Sequence, residues 1–340
     1  MSKTFDVAVL GATGLVGETI LEILEQRKFP VGTLYPLASA RSAGKSVQFR
    51  GKSVSVIDVE SFDFSKAQIG LFSAGAGVSA DIAPRAAENN CVVIDNTSQF
   101  RYDDDIPLVV PEVNPEAIAN YTQRGIIANP NCSTIQMLVA LKPIHDAFGI
   151  ERITVSTYQA VSGAGRSGME KLAAQTTALL NLKPMELADQ EKQIAFNVLP
   201  HIDAFQENGY TKEEMKMTWE TRKILGEPGM ALSATAVRVP VFFGHSEAVS
   251  IETRKKASAA EISKLMRKAP GIKLLDEQRL GGYPTAVTES AGNDPVYVGR
   301  IREDISHERG ICLWVVSDNV RKGAALNSVQ IAEILVKKYL

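Results

Sequence analysis

Cys132 is the residue most clearly placed for chemistry. It lies in Asn129-Pro130-Asn131-Cys132-Ser133-Thr134, immediately before a run with helical spacing. Proline and asparagine are natural helix-entry residues, and the partial positive charge at a helix N-terminus favours a thiolate, the nucleophilic form of cysteine. A lone cysteine is commonly structural, but this polar helix-entry setting turns the reading towards covalent catalysis. Cys91 in CVVID and Cys312 in ICLWVV sit inside apolar strand-like runs and are expected to be inert core residues. A second feature is the segment GATGLVG, with Gly11, Gly14 and Gly17 between an apolar run and a helical one. Glycines there let the backbone approach a pyrophosphate, whose charge then meets free N–H groups at a helix N-terminus. The spacing is GxxGxxG instead of GxGxxG, and a tight turn without any ligand would also satisfy it.

The elements that must position these groups follow from hydrophobic period. Residues 6–10 read as a buried strand, and residues 18–26 carry Ile20, Ile23 and Leu24 at helical spacing. Further strands are expected at 33–38, 69–73 and 91–95, a hairpin-like region at 45–59 and a helix at 81–89. This alternation predicts a Rossmann-type, doubly wound parallel sheet. From residue 131 the character changes. A helix over 133–147 leads into a strand over 152–159. Longer strand-like runs at 231–243, 248–254, 296–303 and 310–316 predict a mixed or antiparallel sheet. The charged amphipathic stretches 211–225 and 259–269 are expected to be helical, as is 323–340, which could return to cover the first domain. The fold class expected is α/β, with a nucleotide-binding domain over 1–130, completed by a C-terminal helix at 321–340. An α+β domain with a mixed sheet occupies 131–320.

After the second strand, the acidic residue that usually holds a ribose 2′-hydroxyl is missing, and the chain reads Ala38-Ser39-Ala40-Arg41-Ser42. A guanidinium flanked by the hydroxyls of Ser39 and Ser42 suits a 2′-phosphate and so points to NADP, although on position alone Arg41 could be a solvated surface charge. Composition narrows the field. A net charge of −2 with dispersed basic residues gives no footprint for a nucleic acid. No run reaches the roughly 18 apolar residues of a transmembrane helix, and the start MSKTFDVAVLGATG has no secretory pattern. A cytoplasmic protein is expected, and three widely spaced cysteines suit a reducing compartment. None of the four histidines is spaced as part of a metal pair, so no metal is expected.

The segments GATGLVG, ASARSAGK, DNTSQFR, PNCST, YQAVSGAG, EEMKMTWETRKIL, RVPVFFGHSEA and SDNVRKGAALNSVQIAE, in this order and over nearly the whole chain, resemble the aspartate-semialdehyde dehydrogenase family. The resemblance implies an NADP-dependent, homodimeric enzyme whose second domain is catalytic and mediates dimerisation. It would interconvert aspartyl phosphate and aspartate semialdehyde on the branch to lysine, threonine and methionine. Cys132 would form the acyl thioester, His245 would be the general acid/base, and Gln159 would orient the substrate. Arg238 would pair with the α-carboxylate, and Glu214 would help place the ammonium. Arg101, Lys216 and Asn131 would hold the phosphate. The cofactor would lie along Gly11, Thr13, Gly14, Leu15, Val16 and Gly17, along Ser39, Arg41 and Ser42, and, on its nicotinamide side, along Ser162, Gly163 and Asn319.

Without the resemblance several of these residues have plainer readings. His245 could be a satisfied core or loop histidine, Gln159 a structural hydrogen-bonding group, and Lys216 part of a solvated helix face. Spacing also leaves Arg238 and His245 on opposite faces of one ideal strand, unless Pro240 and Gly244 break the alternation. The competing functions are other thioester dehydrogenases of this architecture, such as an acetylglutamyl-phosphate reductase or a glyceraldehyde-3-phosphate dehydrogenase. A catalytically silent NADP-binding regulator would need the glycine loop but no reactive thiol. The retention of Cys132, Gln159, Arg238 and His245 argues against it.

Overall fold

A computed structural model describes residues 3–185, 187–189 and 191–340. The chain divides into two compact units, residues 1–131 with 324–340, and residues 132–323. In the first unit the apolar runs become β1 (Phe5–Leu10), β2 (Val31–Ala38), β5 (Ile57–Asp58), β6 (Ile69–Phe72), β7 (Val92–Asp95) and β8 (Ile126–Ala128). They pair in parallel in the order β5-β2-β1-β6-β7-β8, stepping outwards in both directions from β1, as a doubly wound sheet does. β3 (Ser46–Phe49) and β4 (Lys52–Ser55) form a separate antiparallel hairpin before the chain returns to the sheet edge. The connecting helices are α1 (Leu15–Gln26) and α2 (Ala76–Glu88). α2 begins well before its apolar spacing becomes visible, directly after Gly75 at φ +100°.

The second unit opens with α3 (Cys132–Phe148), followed by β9 (Ile150–Gln159), α4 (Gly165–Leu180), α5 (Lys212–Leu225), β10 (Ala231–Arg238) and β11 (His245–Thr253). Then come α6 (Ala259–Met266), β12 (Ile272–Leu274), β13 (Val296–Glu303) and β14 (Gly310–Ser317). The sheet runs β10-β9-β11-β14-β13-β12 and is mixed, with the outer pairs β9/β10 and β12/β13 parallel and the others antiparallel. α3 packs on β9, β11, β13 and β14 and also on α5 and α6. Burial from both directions explains why every residue from Ser133 to Leu141 is inaccessible.

The last helix, α7 (Leu326–Lys338), belongs to the first unit. Val329, Ala332 and Leu335 join Ile20, Ile23 and Leu24 of α1 in one apolar core. Burying a side chain of leucine or isoleucine size contributes about 1.5–3 kcal/mol, so this face supplies much of the force holding the C-terminus down. The residues before α7 do not form a regular α-turn as the amphipathic pattern suggests; Arg321–Ala325 form a π-helical turn.

Candidate active site

In the first unit, Gly11 ends β1 in the left-handed region at φ +85°, and a Cβ there would lie 2.8 Å from Ser73 Oγ. Gly14 is the N-cap of α1 and offers no side chain to its first-turn N–H groups. Gly17 is closest of all: a Cβ would come within 2.1 Å of the Gly11 carbonyl oxygen. Backbone therefore lies directly on backbone, with Thr13, Leu15 and Val16 half-buried around it. Such a cradle fits a pyrophosphate, since bare backbone N–H groups at a helix start are what binds one. β1 and β2 pair through Leu10 and Leu37, so the turn at Ser39–Ser42 emerges beside this loop. That turn is closed by Ser42 N–H donating to the Ser39 carbonyl at 2.8 Å, and it leaves Arg41 exposed. Its position and charge fit a 2′-phosphate. Arg101, largely buried in the same unit, donates through Nη2 to the Asn96 carbonyl at 2.9 Å. Burial pushes the nearby Asp95 carboxyl up, against hydrogen bonds from Thr97 and Ser79 and the Arg101 charge. Asn131 is buried at the end of this unit, one residue before the thiol.

The second unit gathers the other candidates at one end of its sheet. Gln159 and Arg238 are register partners at the C-terminal ends of the parallel strands β9 and β10. His245 opens β11 on the other side of β9. The expected single strand over 231–243 in fact stops at Arg238. Residues 239–244 turn away through Pro240, and Gly244, at φ +89°, lets the chain re-enter as β11. Arg238 and His245 therefore flank β9 and do not share a strand, which removes the objection from alternation.

One residue holds both, through its backbone carbonyl and its backbone N–H. The Ala160 carbonyl accepts from Arg238 Nη1 at 2.8 Å, and the Ala160 N–H donates to His245 Nδ1 at 3.0 Å. Because Nδ1 is an acceptor there, the proton of the neutral imidazole sits on Nε2. His245 is fully buried; burial first, and the Arg238 charge second, hold its pKa well below the usual histidine value. Arg238 is itself pulled down by burial, opposed by Glu213 and by the charge of Cys132, so the thiol and the guanidinium feel one another. Gly163 supplies the clearance: a Cβ would lie 2.8 Å from Arg238 Nη1 and 3.5 Å from His245 Nε2.

Gln159, buried, donates through Nε2 towards Ser133 Oγ at 3.0 Å, and towards Thr157 Oγ1 and Glu213 Oε1 at 3.3 Å. Lys216 donates to Asp203 at 2.7 Å and Glu213 at 3.0 Å. Burial alone would lower its pKa, but these carboxylates outweigh burial and raise it, so Lys216 keeps its charge and is no solvated-face lysine. Ser162 and Asn319 bond to each other at 3.0 Å, and Asn319 Oδ1 accepts from Gly244 N–H at 3.0 Å, tying three loops together.

Among the described candidates of the second unit, Glu214 stands apart from this cluster. Its Oε2 accepts from Thr211 N–H at 2.7 Å, closing a capping box, and its Oε1 accepts from Ala236 N–H at 2.9 Å. Both oxygens are committed to backbone. The carboxylate that faces Gln159, Lys216 and Arg238 is Glu213. The motif Thr-x-x-Glu at 211–214 already carries the capping-box signature that separates these adjacent glutamates. Ala160 carries no such signal, since it acts through its peptide group. Glu247 was also missed. It is fully buried on β11, on the same face as His245, and burial pushes its pKa well above the usual range despite the neighbouring Gln136 amide.

A doubly wound nucleotide-binding domain joined to a mixed-sheet domain, with a helix-start cysteine and with a buried histidine and an arginine held on one backbone residue, defines a two-domain dehydrogenase of the semialdehyde type. Residues 6–121 match the semialdehyde dehydrogenase NAD binding domain, and residues 141–322 match the semialdehyde dehydrogenase dimerisation domain. The aspartate-semialdehyde dehydrogenase of Shewanella violacea is 65% identical over 100% of both chains. The crystal structure of aspartate semialdehyde dehydrogenase II complexed with ASA from Vibrio cholerae is 60% identical with a TM-score of 0.97, again over 100% of both chains. That of the Candida albicans enzyme with NADP is 29% identical with a TM-score of 0.76, covering 98% of this chain and 99% of that one. The chain belongs to the aspartate-semialdehyde dehydrogenase family.

Proposed function

We propose that this protein catalyses the reversible, NADPH-dependent reductive dephosphorylation of L-aspartyl 4-phosphate to L-aspartate 4-semialdehyde, through a thioester on Cys132, in amino-acid biosynthesis. Family membership supports the reaction, and the full-length match to the Vibrio cholerae enzyme crystallised with ASA supports the substrate. The observation that carries the mechanism is that the backbone of one residue, Ala160, holds Arg238 by its carbonyl and His245 by its N–H.

Arg238 grips the α-carboxylate, where a planar guanidinium is matched to a carboxylate, and Glu213 takes the ammonium. Lys216, Arg101 and Asn131 serve the phosphoryl group. The Cys132 thiolate attacks the acyl carbon, the C–S bond forms as the C–O bond to phosphate breaks, and inorganic phosphate leaves. NADPH, when bound along the glycine loop with Arg41 at its 2′-phosphate and Ser162, Gly163 and Asn319 at its nicotinamide end, supplies one hydride to the thioester carbon. His245 holds a proton at Nε2 and presents it to the oxygen that becomes negative at that moment. As the carbonyl re-forms, the thiolate is expelled, with the proton still on Nε2. Run backwards, the Cys132 thiolate adds to the aldehyde carbon, the His245 Nε2–H again donates to the oxygen that becomes negative, and inorganic phosphate finally accepts the acyl group from sulfur.

NADP over NAD is supported by Arg41 and the absence of an acidic residue after β2, and by the Candida albicans relative crystallised with NADP. A homodimer is supported by the match of the second unit to a dimerisation domain. The test is phosphate-dependent reduction of NADP by the purified protein with aspartate semialdehyde, beside acetylglutamate semialdehyde and glyceraldehyde 3-phosphate. Aspartate semialdehyde should be preferred by several orders of magnitude. A comparable rate with either competitor would overturn the substrate assignment.

A further inference from the structure

We propose that Gly323 is a positioning residue for the nucleophile: having no side chain, it lets the turn at Arg321–Ala325 rest directly on the carbon stem of Cys132. This rests on the reading of Cys132 as the nucleophile. A Cβ built on Gly323 would lie 2.6 Å from Cys132 Cβ and 3.1 Å from Cys132 Cα, with Asn319 Cβ at 3.8 Å. The first distance is far inside van der Waals contact, and the atoms met are not the far end of a flexible chain that could swing aside.

Neither partner yields easily. On one side, Gly323 N–H donates to the Asp318 carbonyl at 3.2 Å. Asp318 Oδ1 accepts from Val320 and Arg321 N–H at 2.8 and 2.9 Å, and Oδ2 from Gly292 N–H at 2.7 Å. Asn319, one residue on, is bound to Ser162 and Gly244. On the other side, Cys132 is the first residue of α3, and Ser133 behind it is fully buried and accepts from Gln159. The π-helical turn is an independent sign, since one extra residue per turn is an irregularity that proteins commonly keep at functional sites. The consequence is that the stem of the thiol is backed by a fixed wall on the side of Gly323. A displacement of about 1 Å at such a centre costs roughly 10²-fold in rate.

The test is Gly323→Ala in the full-length protein, read by the alkylation rate of Cys132 with iodoacetamide, followed on its own peptide, and by turnover. The expected result is a protein with unchanged NADP affinity, turnover lowered by about 10- to 100-fold, and a Cys132 alkylation rate altered by about tenfold. A folded variant with turnover and alkylation both within about twofold of the parent would overturn the proposal. Should the methyl compromise folding, a double-mutant cycle decides. The loss of thermal stability caused by Gly323→Ala should shrink substantially in a Cys132→Gly background, where the opposing Cβ is gone. An equal loss in both backgrounds would show that the contact is not with Cys132, which also overturns the proposal. Failure of the nucleophile reading looks different: Cys132→Ala would then retain turnover, whatever the alkylation and the cycle report.

Discussion

The glycine loop of the first unit and the cluster around Ala160 in the second both depend on backbone, in opposite ways. In the loop, side chains are deleted so that peptide groups can meet a ligand: Gly17 rests on the Gly11 carbonyl, and Gly14 leaves the start of α1 uncapped. In the cluster, the backbone of Ala160 serves as a clamp, its carbonyl holding Arg238 and its N–H holding His245. The loop is half-exposed and formed by one short segment, whereas the cluster is buried and draws on α3, β9, α5, β10 and β11. The difference teaches that binding by backbone can be local, while acid/base chemistry needs buried side chains whose pKa values are set by distant neighbours.

The sharpest way to break this division is Cys132→Ala. Turnover should fall by roughly 10⁴-fold or more, while the nucleotide dissociation constant, measured by fluorescence titration, should stay within about twofold. A parallel loss of nucleotide binding would show that the two regions do not work separately. His245→Asn comes next, with kcat lower by roughly 10²- to 10⁴-fold and an unchanged melting temperature, because the shorter amide cannot both hold the Ala160 N–H and place a donor where Nε2 stood. A rate near that of the parent would leave His245 without a catalytic role.

The adjacent glutamates sharpen the comparison within one helix. Glu213→Gln should raise KM for the semialdehyde by about 10- to 100-fold, the range for a hydrogen bond to a charged partner, with little change in thermal stability. Glu214→Gln should do the reverse, weakening the cap of α5 while leaving KM close to the parent value. Arg41→Ala should weaken NADP by about tenfold and NAD hardly at all, because only NADP offers a 2′-phosphate to a guanidinium. Equal losses would make Arg41 a support of its own loop.

The smallest effect concerns Glu247. Burial pushes its carboxyl pKa well above the ordinary 4.5, against the Gln136 amide. Below pH 4.5 both the folded and unfolded forms carry the proton, so the group adds no pH dependence there. As pH rises above 4.5 the unfolded chain ionises first, and stability declines until the folded pKa is passed. Glu247→Gln cannot ionise, so its stability relative to the parent, measured by thermal denaturation, should improve as pH rises from about 5 until the folded pKa of Glu247 is passed. A difference that stays flat over this window would mean that Glu247 is ionised in the folded protein.

Much of the first unit was legible in the chain itself. β1, the glycine spacing, α1 and the Ser39–Ser42 turn are consecutive, and their periods of two and 3.6 residues, with the steric demands of glycine, act over a few residues. Cys132 was legible for the same reason, since a helix start is local information. The identities of Gln159, Lys216, Arg238 and His245 could be taken from the family motifs, but not their assembly.

Tertiary structure alone decided three matters. It placed β9 between β10 and β11, which brought Arg238 and His245 to the backbone of one residue, Ala160, from the two sides of that strand. It assigned Glu213 to the site and Glu214 to backbone amides, although the two are neighbours in sequence. It seated Gly323 on Cys132 across nearly the length of the second unit. Local sequence specifies which conformations a segment can adopt; strand order and burial specify which distant groups it meets, and pKa values and nucleophile positioning depend on those meetings.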